Sequence, residues 1–384
     1  MTPRSPRPLR LAYLAEPNSV HTRRWLQFFA DAGHDVHLLV ATGAAIRPGL
    51  HSAVVVDRYE RYWPVRLPIV SSLQGRTQLR RALNSIQPDV VHAHYLVGHG
   101  WQATLSGFHP RMVTPWGSDL FVDPNVSARA RIWNRLTLRS ADVVTVNSAH
   151  MRDSAVRAGA RPDRVHEIQF GVDIDLFKPG DFDRDLRRRL RIPDGPMVFS
   201  MRALRPIYRH ETILRALAAV PDASLVMTGR NADPEYRRQI DRVVEDLRLT
   251  QRVVLLEDIS DDDLRALLRA AAMVVSIPAS DGTPGSVLEA LATGCPTIVS
   301  DLPTLREILG ASHDDLLVPG RNADEVAAAM RRILSFPETE RRQMGRQLRE
   351  LILARFDYRT NMRAMEGLYE AVATPRRVRP GRSV

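Results

Sequence analysis

Short runs of apolar, largely β-branched residues recur along this chain, separated by longer stretches in which apolar residues return every three or four positions. The short runs read as strands buried on both faces and the stretches between them as amphipathic helices, which together predict βαβ units and parallel sheets. In the first half the expected strands are Leu9–Leu14, Val36–Val40, Ala53–Val56, Val90–His94, Met112–Thr114, Val143–Val146 and Val165–Ile168. HTRRWLQFFADAGH brings Trp25, Phe28, Phe29 and Ala32 onto one helical face and is expected to stop at Gly33. The second half repeats the theme with strands Met197–Ser200, Ser224–Thr228, Val253–Leu256, Met273–Ile277, Thr297–Ser300 and Leu316–Val318. Helices are expected over Glu211–Val220, Asp261–Ala271, Ser286–Thr293 and Thr339–Arg355, the aspartates at 261–263 capping the second of them.

Between the halves runs GVDIDLFKPGDFDRDLRRRLRIPDGP, rich in Gly, Pro and charge, which places a domain boundary near residues 171–195. Its RRRLR reads as the solvated face of a short helix. The division expected is residues 1–180, 181–355, a helix at 356–374 that crosses back to the first domain, and a basic tail at 375–384. Doubly wound sheets bind ligands at the carboxyl ends of their strands, so chemistry is expected in the loops there.

The segment from Ala279 to Asp301, ASDGTPGSVLEALATGCPTIVSD, leaves a strand, crosses a loop holding Gly282, Pro284 and Gly285, and opens a helix at Ser286. Open backbone amides and the positive end of the helix dipole there suit a phosphate. Asp281 and Glu289 flank that cradle; carboxylates accept hydrogen bonds only, so they suit hydroxyls of a sugar or ribose.

This segment resembles the E-x7-E motif of retaining glycosyltransferases of family 4, which have the GT-B architecture of two Rossmann-like domains facing a cleft. Asp281 stands where the family has its first Glu, and Glu289 lies in an intact LEA. The resemblance implies that Asp281 meets the donor sugar, Glu289 the ribose, and the Gly285 and Ser286 amides the diphosphate. In SMRALRPIYRHETILRALAAV, Arg202 matches a family arginine on the diphosphate, while Tyr208 occupies the place of a lysine, leaving Arg205 or Arg209 to supply the second charge. Arg209 is taken as the donor contact, and Ile259, after VVLLED, as a neighbour of the base. Residues 9–180 also match in order, through SVHTRRWLQFFADAGHDVHLL, PDVVHAHYLVGHG, TPWGSDLF and VNSAH…GVDIDLFKP. The family's His-Gly-x-Asp appears here as Trp116-Gly117-Ser118-Asp119. The resemblance therefore implies Asp281, Arg202 and Asp119 at the reacting centre, and His94, Trp116 and His21 on the acceptor side.

His92 and His94 share one strand face, with His99 nearby, yet no carboxylate or thiolate partner is apparent, so core or acceptor contacts are expected rather than metal. Asp173-Ile174-Asp175 spells D-x-D but falls in the interdomain segment and reads as structural. No metal and no cofactor are expected.

The net charge of +10 raises nucleic-acid and anionic-membrane hypotheses. Lys178 is the single lysine among 54 basic residues, a bias that reflects genome composition more than a binding surface. No nucleic-acid recognition motif is present, and 6% aromatic content offers few stacking platforms. The single cysteine, Cys295, excludes an intrachain disulfide scaffold and fits a reducing compartment. No signal peptide or membrane-spanning run is read, so a cytoplasmic protein is expected, with peripheral contact to an anionic membrane as the remaining role for the surplus charge. The leading expectation is transfer of a sugar from a nucleoside-diphosphate donor to an acceptor hydroxyl of a glycan, lipid-linked or small molecule. A sugar-nucleotide epimerase or hydrolase on the same fold, and an arginine-rich nucleic-acid or membrane-surface protein, are the alternatives.

Overall fold

The computed structural model describes residues 7–59, 68–181, 185–229 and 232–373; the expected basic tail lies outside them. The chain forms two compact units, one of residues up to Ile168 together with those from Thr360 onward, the other Gln169–Arg359.

The first unit holds β1 (Arg10–Leu14), β2 (Asp35–Ala41), β3 (Val55–Tyr59), β4 (Val90–His94), β5 (Arg111–Thr114), β6 (Val143–Val146) and β7 (Val165–Glu167). They form one seven-stranded parallel sheet in the order β3-β2-β1-β4-β5-β6-β7. Central strands such as β4 and β5 are buried at every position, which is why they read as unbroken apolar runs rather than alternating ones. The helix Val20–Asp31 buries Thr22, Trp25, Leu26 and Phe29, a stripe at the spacing of successive helical turns. Phe28 lies off that stripe, half-buried, beneath the guanidinium of Arg363.

The last helix, Tyr358–Ala373, buries Met362, Met365, Glu366 and Tyr369. Tyr369 Oη accepts from Trp25 Nε1–H at 3.1 Å and meets Tyr13 Oη at 3.1 Å. Its own proton goes to His92 Nδ1, and His92 Nε2 meets Thr114 Oγ1 at 2.7 Å. Glu366 holds His34 Nε2 at 3.0 Å, while His34 Nδ1 accepts from the Leu9 amide at 3.1 Å. Residues 360–373 therefore complete the first unit, whose polar core groups they satisfy.

In the second unit β8 (Met197–Ser200), β9 (Ser224–Thr228), β10 (Val253–Leu256), β11 (Met273–Ser276), β12 (Thr297–Ser300) and β13 (Leu317–Val318) pair in the order β10-β9-β8-β11-β12-β13, all parallel. The division falls after Ile168, ahead of position 180, because the segment that follows is built into the second core. Val172 N–H donates to the Phe356 carbonyl at 2.7 Å and Tyr358 N–H to the Val172 carbonyl at 3.0 Å. Gly171, at φ +72°, admits this approach; a Cβ there would stand 2.5 Å from the Phe356 oxygen. Cys295 is buried, and burial pushes its thiol up to about 12. Among the described residues no helix is long and apolar enough to cross a membrane.

Candidate active site

Strand order in the second unit reverses between β8 and β11, the point where doubly wound sheets admit ligands. The loop after β8 carries Arg202; the loop after β11 passes Asp281 and opens the helix Gly285–Ala292. Arg202 joins the two. Its Nη2 donates to Asp281 Oδ2 at 2.7 Å, its Nη1 to Ser286 Oγ at 3.0 Å, and its Cζ stands 4.1 Å from the centre of the Tyr208 ring. Burial alone would lower the guanidinium's proton affinity, but Asp281 and Tyr208 more than offset it and hold Arg202 above its ordinary value. The loops are further tied by the Ala279 amide, which donates to the Ile207 carbonyl at 2.7 Å. Tyr208, which displaces a cation in the family comparison, here supplies the ring on which Arg202 rests.

The helix Gly285–Ala292 starts at Pro284, which has no side-chain group to cap it. The Val287 and Leu288 amides return to the Pro284 carbonyl at 3.0 and 3.2 Å, and the Gly285 and Ser286 amides take no acceptor among the described residues. One turn on, Glu289 is buried on the same helix.

Arg209 caps the helix His210–Ala218 with φ +53° and ψ +44°, a left-handed conformation that costs energy for a residue with a Cβ. That turn carries its guanidinium over the ends of β11, β12 and β13. A Cβ at Gly320 would lie 2.9 Å from Arg209 Nη1, 2.9 Å from Ser300 Oγ and 3.1 Å from Ile277 Cβ. Burial and the neighbouring charge of Arg321 hold Arg209 below its ordinary value. Two neighbouring cations, neither of them in an ion pair among the described residues, favour an anion. Arg205, by contrast, is exposed, so of the two arginines left open by the sequence it is Arg209 that reaches the strand ends. Ile259 follows the edge strand β10, half-buried, and packs against the hydrophobic core.

In the first unit, His94 ends β4, Trp116 follows β5 and His21 lies in the first turn of the helix after β1. Trp116 joins the other two, with ring centres 5.1 Å from His21 and 5.4 Å from His94. Both nitrogens of buried His94 lack a hydrogen-bond partner among the described residues. Burial first, and then the charges of His92, His99 and His21, hold its pKa well below the ordinary value, so it is a neutral imidazole. His92 is pushed down to about 3 by burial and is occupied by Tyr369 and Thr114. Among the described residues no group of three or more His, Cys, Asp or Glu is arranged to hold a metal ion.

Asp119, expected at the reacting centre, is instead 0% exposed and serves as a clamp between loops. Its Oδ2 accepts from the Leu96 amide at 2.7 Å, after β4, and its Oδ1 from the Trp116 and Gly117 amides at 3.0 Å each, after β5. Asn134 Nδ2 donates to the Asp119 carbonyl at 2.7 Å and accepts through Oδ1 from Trp101 Nε1 at 3.0 Å. The β4 loop held this way starts at Tyr95, with φ +76°, whose hydroxyl donates to Asp123 Oδ2 at 2.8 Å. Sequence reading missed this role because a carboxylate beside Gly-Ser looks the same whether it faces solvent or three amides.

Burial raises Asp119 to about 6 despite those three amides, which pull the other way. A carboxyl whose folded pKa exceeds its unfolded value, 3.8, contributes stability below that value and loses it as pH rises through the folded one. Wild-type stability is therefore expected to fall between about pH 4 and pH 6 relative to Asp119→Asn, which removes the titration. Asn places an N–H against the Leu96 amide, so at pH 7 the variant is expected to lose about 1–3 kcal/mol in denaturant unfolding. Parallel pH profiles for the two proteins would contradict the raised pKa, and an unchanged stability of the variant at pH 7 would contradict the clamp.

Two parallel doubly wound sheets in succession, each with open strand ends, define the GT-B class of glycosyltransferase. The sequence model described as "Glycosyl transferase 4-like" matches residues 10–148 and that of "Glycosyl transferases group 1" matches residues 182–351; the chain belongs to this family. A D-inositol 3-phosphate glycosyltransferase from Corynebacterium glutamicum is 31% identical over 285 residues, 67% of this chain and 66% of the relative. The chain spans half to two thirds of the length of the first curated relatives it matches, 66% of one and 50% of another. Sucrose-phosphate synthase from Thermosynechococcus elongatus has the same fold, with TM-score 0.80 and 21% identity over 94% of this chain and 98% of that one. So has the Anabaena protein Alr3699/HepE solved with UDP-glucose, at TM-score 0.75 and 17% identity over 94% and 100%.

Proposed function

We propose that this chain transfers a sugar from a nucleoside-diphosphate donor to an acceptor hydroxyl with retention of the anomeric configuration. The observation that carries this reading is the convergence of Arg202, Arg209 and the open Gly285 and Ser286 amides on one set of parallel strand ends. Beside them stand acceptor-only carboxylates at Asp281 and Glu289. The named UDP-glucose complex of a protein with this fold supports the donor class.

In the reaction the bond from the anomeric carbon to the donor phosphate breaks and a bond to the acceptor oxygen forms. Negative charge gathers on the departing diphosphate, where two guanidiniums and helix amides, already oriented, stabilise it. Asp281 is engaged by Arg202, which argues against its acting as a free nucleophile and favours substitution from the face the leaving group vacates. The acceptor proton then passes to the departing phosphate oxygen. Because arginines supply the positive charge, no metal is required; His94, Trp116 and His21 serve the acceptor side, Ile259 lies near the base, and a reducing cytoplasm is the working compartment.

The test is a melting-temperature screen of UDP, GDP and ADP and their sugars, followed by product analysis with hydroxyl acceptors in EDTA. A nucleotide-dependent shift is expected, together with a product that keeps the donor's anomeric configuration and still forms in EDTA. Stabilisation by no nucleotide overturns the reading, and donor breakdown or epimerisation that outpaces transfer assigns the fold to the alternative chemistry.

Arg209→Ala is expected to weaken binding of the diphosphate about tenfold or more, since it deletes one charge-assisted contact, whereas Arg205→Ala leaves affinity unchanged. Titration calorimetry with the nucleoside diphosphate checks both; equal losses would remove the distinction drawn from the left-handed turn.

A further inference from the structure

We infer that the outer face of the helix Ala128–Ser140 is a docking surface for an anionic lipid bilayer. Few large apolar side chains are strongly exposed among the described residues, and two of them, Ile132 at 59% and Leu136 at 48%, sit one turn apart on this helix. Its inward face is already spent: Ala130, Asn134, Thr137 and Leu138 are buried, Asn134 holding both Asp119 and Trp101. Ile132 and Leu136 therefore add nothing to the core.

The same outer face carries Arg129, Arg131, Arg135 and Arg139, all exposed, and the helix has no acidic residue from end to end. Acids close in sequence are engaged elsewhere. Asp123 accepts from Tyr95 Oη at 2.8 Å, and Asp142 holds His109 Nδ1 at 2.5 Å and the Arg111 amide at 2.8 Å. On the adjoining helix Ala149–Ala158, Asp153 is outnumbered by Arg152 and Arg157. The helix Pro68–Ile86, which with this one packs against Trp101–Ser106, exposes Arg76, Arg80 and Arg81.

An aliphatic pair flanked by guanidiniums on one side of a helix matches the two demands of an interfacial segment: apolar atoms for the acyl boundary and cations for anionic headgroups. Charge complementarity selects lipid headgroups. A nucleic acid would use the arginines and leave the aliphatic pair without a partner, because its bases are read by stacking and hydrogen bonding.

The experiment is flotation of the full chain with vesicles of phosphatidylcholine alone or with about one third phosphatidylglycerol, at low and high salt. Binding is expected only to the anionic vesicles and is expected to weaken with salt. Ile132→Asp with Leu136→Asp, and separately Arg135→Glu with Arg139→Glu, are each expected to lower it about tenfold or more while the melting temperature stays unchanged. Equal binding to neutral vesicles, or anionic binding unaffected by both double variants, overturns the inference. So does self-association that Ile132→Asp abolishes in a chain that floats with neither vesicle. The nucleotide-induced melting shift, recorded on the same samples, reads the donor site separately, so loss of docking and loss of the transferase reading are distinguishable.

Discussion

Glu289→Ala is expected to weaken nucleoside-diphosphate binding by about 10- to 100-fold, the scale of losing hydrogen bonds to a charged acceptor. Glu289 lies one turn inside the helix Gly285–Ala292 and is buried there, one turn on from the amides assigned to the diphosphate. A carboxylate repels phosphate and accepts from hydroxyls of sugar or ribose, and the family resemblance points to the ribose as the group Glu289 meets. Inorganic pyrophosphate provides the internal control: it has no ribose, and its affinity is expected to survive the substitution. Glu289→Gln, similar in volume, keeps the helix packed and is expected to lose part of the affinity only. Nucleotide and pyrophosphate affinities that both stay at wild-type values would remove Glu289 from the ribose; both lost together, with the fold intact, would place it on the phosphates.

Arg202→Ala is expected to lower turnover about 10²–10³-fold, the range for removing one preorganised donor from a developing negative charge. The loss is expected mainly in kcat, because the charge on the diphosphate grows as the glycosidic bond breaks. Arg202→Lys retains the charge but reaches one partner where the guanidinium reaches Asp281 and Ser286 together, so it is expected to recover only part of the rate. Deleting Arg202 also leaves Asp281 unneutralised beside the donor. Arg202→Ala combined with Asp281→Asn is therefore expected to be less impaired than the sum of the two single losses, as for any pair in direct contact. Additive effects, or a kcat within about twofold of wild type in the single variant, would take Arg202 away from the leaving group.

Much of the architecture was legible along the chain because buried parallel strands carry their evidence locally. Val90–His94, Val143–Val146, Met197–Ser200, Ser224–Thr228, Val253–Leu256 and Thr297–Ser300 were all bounded to the residue by runs of β-branched and apolar side chains. The helix after β11 was legible to within one residue: it was expected over Ser286–Thr293 and runs Gly285–Ala292, because Gly285 takes the first helical position after Pro284. The boundary between units was less so: Val172 belongs to the second unit through its pairing with Phe356 and Tyr358, residues far along the chain.

The chemistry divided in the same way. Which residue types lie at the carboxyl ends of β8 and β11, and thus that an uncapped helix start lies near an arginine and two carboxylates in the chain, follows from residue order, because strand ends and helix starts are local events. Residue order also placed Asp119 beside the Trp116 loop. Only the tertiary structure decided that Asp119 is enclosed by three amides, that Tyr208 is a shelf under Arg202, and that a left-handed turn swings Arg209, not Arg205, over the strand ends. The physical reason is that side-chain direction and burial depend on which distant loops pack around a residue, and no periodicity along the chain encodes that.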